Sequence, residues 1–379
     1  MSEATCDVVV VGGGLVGTAL AYELVARGAD VVLLDEHHPG RASDAGAGIL
    51  SPETTWNPDD GWFRFGRAAA AHYRTLVGRL AEDGTDDTGF AQCGLLLVAV
   101  DPGEDDWFAQ RADLALGRSP QTLTEVTADE ARLLFPPLGP VRRAVHNPAA
   151  ARVDGRLMTN ALLHGAEGRG LVRRTTAATG LRISGGVVVG VDTADDGLSC
   201  AAVAVAGGAW SQTLLSPLGV SVPVGPVKGQ IVHMQLPATE TGPVDSGGWP
   251  IVSPVLTHYL VAWPGGRVAC GGTYEPDARF DTRATVAGLE ELLRACLSIA
   301  PGLAGATVVD VRVGLRPVSA DDLPVLGPVP GWDNVHLVTG HGTEGLLLGP
   351  YSAALVARSI DGGPVADELG PFSLARFGP

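Results

Sequence analysis

The sequence predicts an α/β protein: a Rossmann-like dinucleotide-binding unit with a strand-rich α+β unit inserted into it. Three observations carry this. An apolar, β-branched run, a glycine turn and an apolar helix follow one another across residues 6–27. A second apolar run at 31–34 ends in Asp35 and Glu36, which completes a βαβ unit at the start of the chain. Near the other end the order recurs, with an apolar strand at 335–339 and a helix at 345–360 behind a glycine-rich entry.

The elements follow from pattern and punctuation. Residues 6–11 read as a buried parallel strand. Residues 15–27 read as a helix with Val16, Leu20 and Leu24 on one stripe and Gly28 as its stop. Helices are expected at 60–83, 106–116, 127–134 and 157–169, with Pro136 and Pro137 ending the third. Strands are expected at 94–100, 187–191 and 202–206. The stretch 222–273 is strand-rich with Gly and Pro turns, 285–299 is helical and 308–315 is a strand. Nucleotide-type segments thus lie at both ends and in the middle. One unit is expected from residues 1–85, 150–222 and 311–379, and the inserted one from 86–149 and 223–310.

Composition excludes several classes. A chain of 379 residues, 45% of them hydrophobic, can bury the cores of two units. The formal net charge of -16 repels phosphate backbones, so nucleic acid is not an expected partner. Lys228 is the one lysine, and the other basic residues are arginines. Five widely spaced cysteines without a CxxC fit neither a disulfide framework nor a zinc site, and no other metal-spaced cluster occurs. The N-terminus has no basic stretch before its apolar run, so no signal peptide is expected, and no apolar run spans a membrane. A cytoplasmic enzyme is the expectation, with homo-oligomerisation left open.

Gly12-Gly13-Gly14-Leu15-Val16-Gly17 matches GxGxxG between a strand and a helix, the context in which the motif carries meaning. Gly12 permits the tight turn, Gly14 lets a pyrophosphate approach, and Gly17 lets helix and strand pack closely. The helix N-terminus offers N–H groups and positive dipole to phosphate. Asp35, at the end of the second strand, can grip a ribose hydroxyl. The motif alone does not separate FAD from NAD.

The run of small residues from Gly40 through Arg41, Ala42, Ser43, Ala47 and Gly48 to Leu50 separates them. It resembles the segment beside the flavin in the D-amino acid oxidase superfamily, and glycine oxidase-type enzymes most of all. Residues 205–211, 227–230, 314–317 with Asp322, Pro324 and Gly327, and 340–345 resemble further segments of that family, in the same order. The resemblance implies FAD at Gly12, Gly14, Leu15, Val16, Gly17, Asp35, Glu36, Arg41, Ala42, Ser43, Ala47, Gly48 and Ile49. It also implies contacts from Gly207, Trp210, His341, Gly342, Thr343, Glu344, Gly345, Leu346 and Leu347, and from the Ala178 backbone at the adenine end. The last helix would aim its N-terminus at the flavin pyrimidine. Covalently flavinylated members use a cysteine near the C-terminal signature; none follows Cys296 here, so non-covalent FAD is expected.

The same resemblance implies that the inserted unit is built on a large antiparallel sheet, and it supplies the substrate site. Arg316 matches the arginine that holds a substrate carboxylate, a role that suits its planar pair of donors; a structural ion pair is the alternative. Tyr259 matches a tyrosine bonded to the same carboxylate, or else belongs to core or rim. Ile49, Ser51 and Tyr274 fall where the family lines its pocket. Lys228 either approaches the flavin or is an exposed lysine at a strand start. The chain departs from glycine oxidases at Thr343, where those carry a basic residue, and at Glu344, whose carboxylate would favour an amine-bearing substrate. The implied reaction is oxidation of a small amine, above all an amino acid of glycine, D-amino acid or N-alkyl glycine type. Hydride passes to flavin N5, the imine hydrolyses, and oxygen or another acceptor takes the electrons. The rivals are a nicotinamide dehydrogenase, a tailoring oxidase acting on an elaborated amine, and a flavin-binding subunit without catalysis.

Overall fold

The computed structural model describes residues 4–55, 57, 59–119, 121–364 and 366–378. Two eight-stranded sheets organise it. In the first, Trp332–Thr339, Gly197–Val205, Ala4–Val11, Val31–Leu34 and Val172–Arg174 run parallel in that order. Val325–Val329 adds an antiparallel edge beside Trp332–Thr339. Along Ala4–Val11, Val8 and Val10 enter one core and Val9 the other, so both faces are buried. That is why the strand reads as a continuous apolar run rather than an alternation.

The helices Leu15–Ala26, Asp60–Glu82, Gly155–Gly168 and Gly345–Ile360 pack on the face that Val8 and Val10 enter. Leu15–Ala26 departs from the expected stripe. It is buried on nearly all sides, because the sheet and two other helices enclose it. A helix apolar all round is the signature of such a position. The hairpin Ala178–Ser184/Val187–Thr193, whose first strand the periodicity does not reveal, supplies the remaining two strands by antiparallel pairing with Gly197–Val205 and covers part of the other face.

The second sheet runs Thr307–Ser319, Val224–Gln235, Arg267–Gly271, Tyr259–Trp263, Ile251–Pro254, Leu95–Ala99, Arg143–Asn147, Thr124–Val126. Neighbours are antiparallel except Ile251–Pro254 with Leu95–Ala99, so this sheet is mixed rather than purely antiparallel. Ala128–Leu134 and Val286–Ile299 cover one face and Asp105–Arg118 the other. Side-chain caps correct two expected starts. Thr127 accepts from the Glu130 N–H and Thr285 from the Gly288 N–H, so both are N-caps rather than first-turn residues. Likewise Asp154 caps Gly155–Gly168 and starts it two residues early.

The strand expected at 308–315 runs on to Ser319, through Pro317, which stands opposite Pro226. Proline does not break the ladder here because this is the outermost strand of its sheet. Arg316 therefore lies within a strand and not at its end. Among the described residues no helix is long and apolar enough to cross a membrane.

Candidate active site

The first sheet delivers its strand ends to one wall of a cavity of about 1080 Å³, and the second sheet supplies another. At the end of Ala4–Val11 the chain turns at Gly12, with φ +108°. A Cβ there would stand 2.4 Å from the Ala206 carbonyl oxygen. Only glycine meets both conditions. Gly17 is pressed against the turn, since a Cβ would lie 1.9 Å from the Gly12 oxygen. It therefore acts by packing. Alone among the expected cofactor residues, it does not line the cavity.

The helix behind the turn starts with no acidic side chain in its first turn, which leaves its positive end to an anion. Ser43 Oγ accepts the Leu15 N–H at 2.9 Å and ties the small-residue run to that helix. Arg41 donates to Asp35 at 2.9 Å and to the Gly13 carbonyl at 2.8 Å, so the acidic strand end and the glycine turn are held as one piece. Glu36 pairs with His38 at 2.7 Å, and His38 stacks on Trp210 at 4.7 Å. Gly14, Leu15, Val16, Ala42, Ala47, Gly48, Ala178 and Gly207 complete this part of the lining.

The C-terminal segment closes the opposite side. His341, Gly342, Thr343, Glu344, Gly345, Leu346 and Leu347 all face the cavity, the last three opening the helix Gly345–Ile360. His341 is buried and its Nε2 has no partner among the described residues. Burial pushes its pKa down to about 4, so the ring is neutral at physiological pH. Glu344 is half-buried. Removal from water raises its carboxyl to about 7, against the opposing effects of Arg111 and of a hydrogen bond with Thr343.

On the second sheet Arg316 reaches across to the neighbouring strand. One Nη donates to the Thr273 carbonyl at 2.8 Å and to the Lys228 carbonyl at 3.3 Å. Among the described residues no carboxylate pairs with it, so the ion-pair alternative is set aside. Its guanidinium lies flat against Gly229, where a Cβ would stand 2.3 Å from it. A Cβ on Gly272 would stand 2.9 Å from the other Nη and 3.2 Å from the Tyr259 hydroxyl. Two bare glycines thus let guanidinium and phenol converge. Burial pushes the Tyr259 phenol up to about 12 although Arg316 pulls it down, so it stays a donor.

The other expected pocket residues differ in freedom. Tyr274 is exposed, with the Arg316 guanidinium 5.9 Å from its ring centre. Ile49 lines the cavity from a short strand paired with Arg152. Ser51 also lines it, but its hydroxyl is engaged by Asn147 at 3.1 Å and Thr54 at 3.0 Å. Lys228 is neither exposed nor a lining residue. It is buried and paired with Glu275 at 3.2 Å, which offsets the cost of burying its charge. Arg111 is a lining residue that no feature of the sequence singles out. It comes from the helix Asp105–Arg118, is buried, donates twice to the Thr54 carbonyl and lines the cavity. A lone arginine in an amphipathic helix carries no signal that it points inward.

A dinucleotide cradle continuous with a small polar pocket defines the class: an oxidoreductase that holds a dinucleotide cofactor against a small molecule. The comparisons place it further. The DAO family of FAD dependent oxidoreductases matches residues 7–359, and the chain belongs to that family. It is 36% identical to the crystal structure of iminodiacetate oxidase from Chelativorans sp. BNC1, with a TM-score of 0.90 and coverage of 97% of this chain and 98% of that one. Glycine oxidase of Pseudomonas putida is 33% identical over 97% of this chain and 98% of its own. The structure of glycine oxidase from Geobacillus kaustophilus is 28% identical, with a TM-score of 0.89 over 98% and 99% of the two chains.

The residues present fit FAD. The glycine turn leaves room no side chain could share, the helix end is open to phosphate, and the buried His341 Nε2 awaits a partner. Among the described residues no cysteine lines the cavity.

Proposed function

We propose that this enzyme oxidises a small amino acid carrying a primary or secondary amine, with Arg316 and Tyr259 holding the substrate carboxylate. Residues 1–85, 150–222 and 311–379 form the flavin unit on this reading, and 86–149 with 223–310 the substrate unit. The observation that carries it is Arg316: a guanidinium in the cavity, braced by two carbonyls and bonded to no carboxylate of the described chain. Glycine and iminodiacetate, the substrates named for the relatives, share an N–CH₂–COO⁻ unit. The proposed substrate shares that unit or its α-substituted form.

FAD, when bound, supplies the two-electron acceptor for the substrate α-C–H bond. The chain's own residues do the rest. Arg316 and the Tyr259 hydroxyl fix the carboxylate and thereby aim the α-carbon; such positioning is a large share of catalysis in an intramolecular geometry. Glu344 faces the amine and accepts a hydrogen bond from it. Water then hydrolyses the imine to the carbonyl product and free amine.

The test is anaerobic mixing of the purified yellow protein with glycine, N-methylglycine and D-alanine, alongside methylamine and dimethylamine. Flavin absorbance is expected to fall with at least one amino acid and to persist with both simple amines. Equal bleaching by amines that lack a carboxylate would remove Arg316 from its role.

A further inference from the structure

The two carbonyls that brace Arg316 belong to different segments. Lys228 lies in the strand Val224–Gln235, and Thr273 in the turn that follows Arg267–Gly271. Glu275, two residues beyond Thr273, ties the segments together. Its N–H donates to the Lys228 carbonyl at 2.9 Å, and the Lys228 N–H donates back to the Glu275 carbonyl at 3.3 Å. Lys228 Nζ meets one carboxylate oxygen of Glu275 at 3.2 Å, with Asp281 standing second at 3.9 Å. The other Glu275 oxygen accepts from the Thr273 hydroxyl at 2.5 Å and from the Gln230 amide at 2.7 Å. An unbroken series of bonds therefore runs from the ammonium, through Glu275, to the residue whose carbonyl holds the guanidinium.

We propose that Lys228 is a positioning residue for the carboxylate site: with Glu275 it locks the two carbonyls that aim Arg316. Resting on the reading that Arg316 takes the substrate carboxylate, this adds what holds Arg316 in place. Lys228 is buried and does not line the cavity, so it acts through its neighbours and never on the substrate. Gly229 carries the guanidinium on one face of the strand, and alternation turns the Lys228 side chain to the other. A buried ion pair adds little net stability, because the cost of desolvation offsets the attraction; what it fixes is geometry. Without the clamp the turn at Thr273 is free to shift, and its carbonyl no longer anchors the Arg316 Nη. The guanidinium then loses the orientation that a two-bond contact with a carboxylate demands.

The test is calorimetric affinity of the FAD-loaded enzyme for two inert thioethers of equal size, (methylthio)acetate and (methylthio)acetamide. Only the first carries the charge that Arg316 recognises. Wild type is expected to prefer the acid by about 10- to 100-fold, the span of a hydrogen bond to a charged group. Lys228→Met should cut that preference by about 3- to 10-fold while leaving amide affinity and the flavin spectrum unchanged. Lys228→Arg should recover part of it, since a cation again faces Glu275. Glu275→Gln, which keeps the side chain's shape and alters the clamp from its half-buried end, should act in the same direction. In an Arg316→Ala background Lys228→Met should change nothing further, because the two act through one contact. Equal loss of acid and amide affinity would overturn the proposal and make the ion pair a support of the fold. So would additive losses in the double variant. If Arg316→Ala alone keeps the full preference, the carboxylate reading of Arg316 falls and the proposal with it. A full preference in Lys228→Met with none in Arg316→Ala removes Lys228 alone.

Discussion

The residue that sets the electrostatics of the pocket is Glu344. Burial holds its carboxyl near 7 in the folded protein, above the ordinary value of 4.5. A raised carboxyl pKa means the folded state keeps a proton that the unfolded state has released. Stability from this group is full below about 4.5 and declines as pH rises through about 7. Glu344→Gln never charges. Its melting temperature should match wild type at pH about 5 and exceed it at pH about 8. A constant difference across that range, measured by calorimetry at saturating FAD, would place the carboxylate in water. The acid itself is legible in the sequence as a departure from glycine oxidases. Its elevated pKa is not, because that depends on how deeply the cavity wall buries it, a burial that outweighs the opposing charge of Arg111, more than two hundred positions away.

At the scale of elements, the joint between Val224–Gln235 and Thr307–Ser319 determines where the guanidinium sits. Their antiparallel register places Arg316 opposite Val227, so its side chain lies diagonally over Gly229. An alanine there would meet the tip of a long side chain and not backbone. Gly229→Ala should therefore keep the fold and FAD yet displace Arg316. A shift of about 1 Å can cost ~10²-fold in rate, and kcat/KM is expected to fall on that order with the melting temperature unchanged. Normal activity in this variant would mean that the guanidinium has room to adjust. The sequence shows both strands and the Arg316–Pro317 pair. It does not show that the strand continues through proline, because only its position at the sheet edge permits that. The glycine motif and the buried parallel strands are legible because their function is local. Gly229, Gly272 and Arg111 are not, since their roles arise from contacts across strands and between units.

At the scale of the whole molecule, a parallel sheet and a mixed sheet face one cavity from two sides. The first supplies the glycine turn and helix ends that suit a dinucleotide. The second supplies Arg316 and Tyr259, and neither sheet alone contains both. Cofactor binding and substrate oxidation should therefore separate by mutation. The most direct measurement is the rate of anaerobic flavin bleaching by the best amino acid substrate, in wild type and in Arg316→Ala, with FAD content and melting temperature recorded on the same samples. Losing a hydrogen bond to a charged group costs ~1.5–3 kcal/mol, and misaiming the α-carbon adds to it. In Arg316→Ala, full FAD occupancy, an unchanged melting temperature and a fall of about 10²-fold or more in kcat/KM are expected, with Arg316→Lys recovering only part. Near wild-type bleaching by Arg316→Ala would contradict this: the substrate carboxylate would then be held elsewhere, and the assignment to amino acids would fall while the flavoprotein assignment stood.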